Sequence, residues 1–145
     1  MSIGGIGGGF GAQVGRKIGE GILARRGERL AAENRIQCDF RVLAGEYPGL
    51  STKWSFGEAD LSRGSITYTA AKGHLRGRWL EPITIFVSDI DMGSLRKPTS
   101  KELLRVNATD CFVRVSANGA VLEWKVLEAR LAWAKALVQP PLDER

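Results

Sequence analysis

Histidine and cysteine are nearly missing from this chain of 145 residues, which holds one His and two Cys. Two thiols at Cys38 and Cys111 exclude a disulfide framework, and their wide separation lacks the paired spacing of a zinc site. Each sits at an alternating apolar position, in "IQCDF" and "CFVRV", so the expectation is two buried core thiols in a reducing compartment. His74 stands alone in "KGHLRGR" with no second ligand at a metal spacing, and reads as a solvated imidazole. An uninterrupted apolar run is also missing. Residues 3–23 would reach about 30 Å as a helix, but Arg16, Lys17 and Glu20 interrupt it. Each would cost about 2–3 kcal/mol at membrane depth, so the stretch is expected to lie on a bilayer rather than cross one. Nor do charges precede an apolar stretch, as a secretory signal requires. No internal repeat is evident.

Motifs for chemistry are missing too. "GGGFGA" fits a loose dinucleotide fingerprint through Gly7, Gly9 and Ala12, but no strand precedes it. Gly15-Arg16-Lys17 does not complete a phosphate-binding P-loop. "DIDMG" begins like a calcium loop through Asp89, Asp91 and Gly93, without the later ligands. The chain is therefore expected to be no enzyme and to hold no cofactor and no metal.

What is present is an ordinary globular composition, with 43% hydrophobic and 26% charged residues, enough for one domain with a core. The formal charge of +5 and pI near 9.6 suit acidic partners. Residues 1–35 form a Gly-rich, basic arm. Nine glycines fall between Gly4 and Leu23, yet Ile6, Phe10, Val14, Ile18 and Ile22 recur at every fourth position. Gly7, Gly11, Gly15 and Gly19 make the row beside them. Each helical Gly costs about 1 kcal/mol relative to Ala, so this stripe is expected to be helical only when docked. There the bare Gly row would let another helix approach closely, with Phe10, Val14 and Ile18 packing around it. The alternative is a disordered tether. Arg16, Lys17, Arg25, Arg26 and Arg29 give the arm its cations, and Asn34 is the expected stop of its second part.

From Ile36 the hydrophobic period changes to two. "IQCDFRVL" places Ile36, Cys38, Phe40 and Val42 on one face. "AGEYPGLST" reads as a loop. "KWSFGEADL" and "SITYTA" read as strands joined by a tight turn in "SRG", with "RGRWL" and "ITIFVSDI" after them. "DMGSLRKPTSKE" reads as a loop, then "LLRVNA", "CFVRVS" and "VLEWK" as strands. Asn118-Gly119 predicts a type I′ hairpin turn, because both of its central residues need positive φ. "VLEARLAWAKALV" predicts an amphipathic helix with Leu127, Leu131, Ala134 and Val138 inward, widened by Trp133 and Leu137 and ended by Pro140 and Pro141. The expected domain spans 36–139, with 140–145 as a tail. Its class is α+β and mainly β, with about seven antiparallel strands in a small barrel or sandwich capped by the C-terminal helix.

"CDFRV", "WSFGEADLSRGSITY", "GRWLEPITIFV" and "LEARLAWAKAL" together resemble pleckstrin-homology-like (PH-like) domains. The pattern looks most like small actinobacterial PH-like proteins that carry an N-terminal membrane anchor. The likeness covers roughly 36–138. It implies a non-enzymatic module whose basic hairpin loops bind phosphoinositides. One departure is plain: that family's anchor is an apolar membrane helix, and here the Gly-rich charged arm takes its place.

Lys72, His74, Arg76 and Arg78 alternate strictly, so an extended backbone puts them on one face. No acidic residue lies between Leu61 and Leu80, and arginines there suit phosphate oxygens. The competing reading is an edge strand protected by its own charge. The expected function is a binding module at an anionic membrane surface or protein complex, using the arm and this basic face. It would be cytoplasmic, peripheral to the inner face of the membrane, and able to self-associate through the arm. The alternative is a structural subunit of a large assembly, a virion or other particle, whose arm packs into neighbouring subunits. Nucleic acid is the weaker third partner, since the aromatics show no stacking pattern beside the cations.

Overall fold

Side chains alternate inward and outward from Arg35 onward, and a sheet follows from that period. A computed structural model describes residues 27–72 and 79–140. The chain divides into two units, Met1–Glu33 and Asn34–Arg145. In the first, residues 27–32 are helical. Asn34, at φ 59, ends the run in the left-handed conformation that Asn adopts more readily than most residues.

In the second unit, β1 (Arg35–Ala44) buries Ile36, Cys38, Phe40 and Val42, as its alternation predicts. It pairs with β2 (Ser55–Ser62), which turns at Arg63-Gly64 into β3 (Ser65–Ala70). Then come β4 (Ile83–Arg96), β5 (Asp110–Ala117) and β6 (Ala120–Leu127). Each strand pairs antiparallel with the next, and β6 returns to β1, closing a six-stranded barrel. Closure removes the exposed strand edges that invite aggregation. Asn118 and Gly119 take φ 48 and 82, the conformation expected of the type I′ turn.

The sequence pattern predicts about seven strands, and six are present among the described residues. "LLRVNA" is the main correction. A short 3₁₀ turn covers Glu102–Leu104, because Thr99 and Glu102 cap each other. The Thr99 amide donates to the Glu102 carboxylate at 2.8 Å, and the Glu102 amide donates to the Thr99 hydroxyl at 3.2 Å. This is the reciprocal Thr-x-x-Glu box, visible in "TSKE" and outweighed by an apparent apolar strand. "RGRWL" is the second correction. Its described end shows a single bridge, Ala71 to Trp79, and no strand. The third concerns "DMGSLR", whose composition suggests a loop. β4 continues through it to Arg96, with register shifts against β5 after Val87 and Asp91.

The barrel interior is filled. Phe40 stacks on Trp124 with centroids 5.8 Å apart and meets the Tyr68 ring edge-on at 4.9 Å. Tyr68 donates its hydroxyl to the Ser55 carbonyl at 3.0 Å. Gly57 is required by closeness. A Cβ there would lie 2.3 Å from the Thr69 carbonyl oxygen, so only glycine lets the two strands approach this closely.

The C-terminal helix (Glu128–Val138) packs on β2 and β6 and buries Leu131, Ala134 and Val138 in the barrel's own apolar cluster. Trp133 and Leu137 pack against that cluster half-buried. The apolar period places the start of this helix earlier, with Leu127 facing inward. Instead β6 runs to Leu127, which is extended (φ −65, ψ 126) and outward-facing. Cross-strand pairing keeps the chain extended to that point.

Candidate anionic-surface interface

An up-and-down meander sends its connections alternately to two ends. The β1–β2, β3–β4 and β5–β6 connections share one end. The β2–β3 turn, the β4–β5 excursion and the start of the C-terminal helix share the other. Lys72, the described member of the basic run, follows β3 at the first of these ends.

Lys72 is exposed immediately after β3. His74, Arg76 and Arg78 lie outside the described residues, so their shared face stays an expectation. The two ends of their segment are described. Ala71 pairs antiparallel with Trp79, and the Leu80 amide donates to the Ala70 carbonyl at 2.8 Å. The residues on either side of the run therefore lie beside one another.

An apolar row that sequence reasoning passed over flanks those ends. Gly57 stands opposite Ala70, and the Ala71 amide donates to the Phe56 carbonyl at 2.8 Å. Phe56, Ala71 and Trp79 thus follow one another across the wall. Opposed residues in antiparallel pairs project on one face, so two aromatic side chains stand about 10 Å apart with only a methyl between them. Phe56 is 54% exposed and Trp79 44%, with Leu80 at 48%. The signal available in the sequence was the outward phase of "WSFG": once Gly57 and Ala59 face in or turn, Phe56 faces out.

The other charges of the wall are largely consumed by one another. Arg41 and Arg96 both donate to the buried Glu123, at 2.7 and 3.1 Å. Arg41 also lies over Trp54, and Arg96 over the buried Phe112 at 4.1 Å. Lys125 bridges Asp39 at 3.1 Å and Asp110 at 3.6 Å. Burial pushes the Asp39 carboxyl up, and Lys125 beside it opposes that shift. Both thiols are buried as expected. Burial raises Cys38 well above the ordinary range and Cys111 to about 11, so neither is a thiolate at neutral pH. A depression beside the β1–β2 loop is lined by Val42, Tyr47, Pro48 and Leu50, with Glu46 its charged member. That sign does not suit an anion.

The arm positions Gly7, Phe10, Gly11, Val14, Gly15, Ile18 and Gly19, and the cations Arg16, Lys17, Arg25 and Arg26, lie outside the described residues. Arg29 is exposed on the helical segment 27–32. Among the described residues no helix is long and apolar enough to cross a membrane. Comparison with family models, with curated proteins and with solved structures finds no match.

Proposed function

We propose that this chain is a non-enzymatic binding module that docks on an anionic membrane surface through the β3–β4 connection. The observation that carries the reading is the exposed row of Phe56 and Trp79, with Leu80 beside it, at the root of a run containing Lys72, His74, Arg76 and Arg78. Cations near an anionic leaflet are worth about 1 kcal/mol each, and aromatic rings favour the interfacial zone. The reading keeps the PH-like resemblance of 36–138 as part of the proposal, and a peripheral position at the inner face of the membrane follows from it. The arm's cations would add to the attraction.

Co-sedimentation of the full chain with phosphatidylserine vesicles tests this. Arg76→Glu with Arg78→Glu is expected to weaken binding most at low salt, where screening is least, and to leave the melt unchanged. Trp79→Ala should weaken it at every salt concentration. Unaltered vesicle binding by both variants would reject the reading.

A further inference from the structure

The end of the barrel opposite the basic run carries a second apolar surface, and it is held unusually firmly. Leu95, next to the end of β4, is 41% exposed, and the excursion from β4 to β5 contains Leu103 at 46% and Leu104 at 85% exposure. Leucines left outward on a mobile loop would call for no explanation. These are braced. Arg96 grips Glu102 through both carboxylate oxygens, at 2.7 and 2.9 Å, while also reaching Glu123 on the wall. Thr99 and Glu102 cap each other, Lys97 pairs with Glu128 on the helix, and the Asn107 amide donates to Asp110 at 3.0 Å. The Leu103-Leu104 pair is therefore presented outward on a preformed turn, which lowers the ordering cost of binding.

Charge indicates what would cover it. Lys97 and Arg96 are already paired, whereas Lys101 and Arg105, on either side of the leucines, take part in no ion pair among the described residues. A second copy meeting this patch face to face would set those cations against their equivalents. The excursion between Arg96 and Asp110 holds no aromatic residue to anchor in a bilayer interface, whereas two cations flanking an apolar pair complement carboxylates flanking apolar side chains.

We infer that the Leu103-Leu104 turn is a docking surface for a protein partner whose contacting segment combines acidic and apolar side chains. With the basic run at the opposite end, the barrel would hold such a partner away from the membrane. This surface stands independently of membrane binding.

A displayed library of random short peptides, selected on the full chain, provides the test. Enriched peptides should carry both carboxylates and large apolar residues. Leu103→Ser with Leu104→Ser should weaken those peptides by about tenfold or more, the scale of a lost anchor residue. Lys101→Glu with Arg105→Glu should weaken them as well, and the melts of both variants and their binding to vesicles should be unchanged. No enrichment over the leucine variant, or enriched peptides lacking carboxylates, would overturn the inference. So would a leucine variant that loses vesicle binding, which would make the patch a membrane contact. A fall in that variant's mass by light scattering would make the patch a self-contact and would overturn the inference too.

Discussion

Tyr47 shows how much one side chain in an unremarkable loop can decide. The β4 strand changes partners along its length. Ile83 to Phe86 pair with β3, and pairing with β5 starts only at Val87 opposite Ala117. The Val87 amide reaches back to the Gly64 carbonyl, so the alternation of the strand turns Thr84 and Phe86 toward the other edge, beyond the end of β5. Their backbone groups would be left without a ladder there. The buried Tyr47 hydroxyl supplies it, donating to the Thr84 carbonyl at 2.8 Å and accepting from the Phe86 amide at 3.0 Å. Removing that oxygen leaves a donor and an acceptor unsatisfied at a partly buried seam. Tyr47→Phe is expected to cost about 1–3 kcal/mol in a denaturant melt, with ring packing retained. A change within about 0.5 kcal/mol, typical of an ordinary surface site, would show that water fills the role.

Among the elements, the β4–β5 excursion is braced at several points, of which the Glu102 carboxylate makes the most hydrogen bonds. Glu102 is held from its ordinary value of 4.5 down to about 2, first by hydrogen bonds from Arg96 and then by those of Thr99. A depressed acid contributes its stabilisation above the unfolded pKa and loses it as pH falls through the folded one. The excursion should therefore keep its bracing above about pH 4.5 and loosen as the pH approaches 2. Hydrogen exchange at the Arg105 and Val106 amides, which both donate to the Glu102 carbonyl, reads that loosening directly. In Glu102→Gln the same amides should exchange faster at neutral pH, and their acid dependence in this window should disappear. If the variant retains the dependence, Glu102 does not govern the excursion. Asp39 works in the opposite sense, because burial raises its pKa. Its charge opposes folding once the pH rises through the folded value.

At the scale of the whole molecule, the apolar cluster draws every member from 36 to 138, running from Ile36 to Val138. The barrel closes on itself and the C-terminal helix completes it, so this unit has an apolar cluster of its own. A chain beginning at Asn34 is expected to melt cooperatively, within a few degrees of the full chain, by circular dichroism and calorimetry. A broad, non-cooperative transition would make the first unit part of the core. The truncated chain would also measure what the arm's cations add to vesicle binding.

Local patterns in the sequence determined much of this protein. The alternation from Ile36 to Val42, the Asn118-Gly119 turn and the inward row Leu131, Ala134 and Val138 were legible because each rests on interactions within a few residues or on one periodic face. The capping pair Thr99 and Glu102 was equally local and was outweighed by two adjacent leucines that resemble strand residues. Tertiary structure alone decided the rest. Closure of β6 on β1, the seam sealed by Tyr47 and the close approach at Gly57 depend on strands meeting in a particular register. The same holds for the exposed row: Phe56 and Trp79 share a face only because Ala71 is bonded to Phe56 on one side and bridged to Trp79 on the other. Periodicity shows which way a side chain points, whereas its neighbours across a barrel are set by register, which loop closure and packing select together.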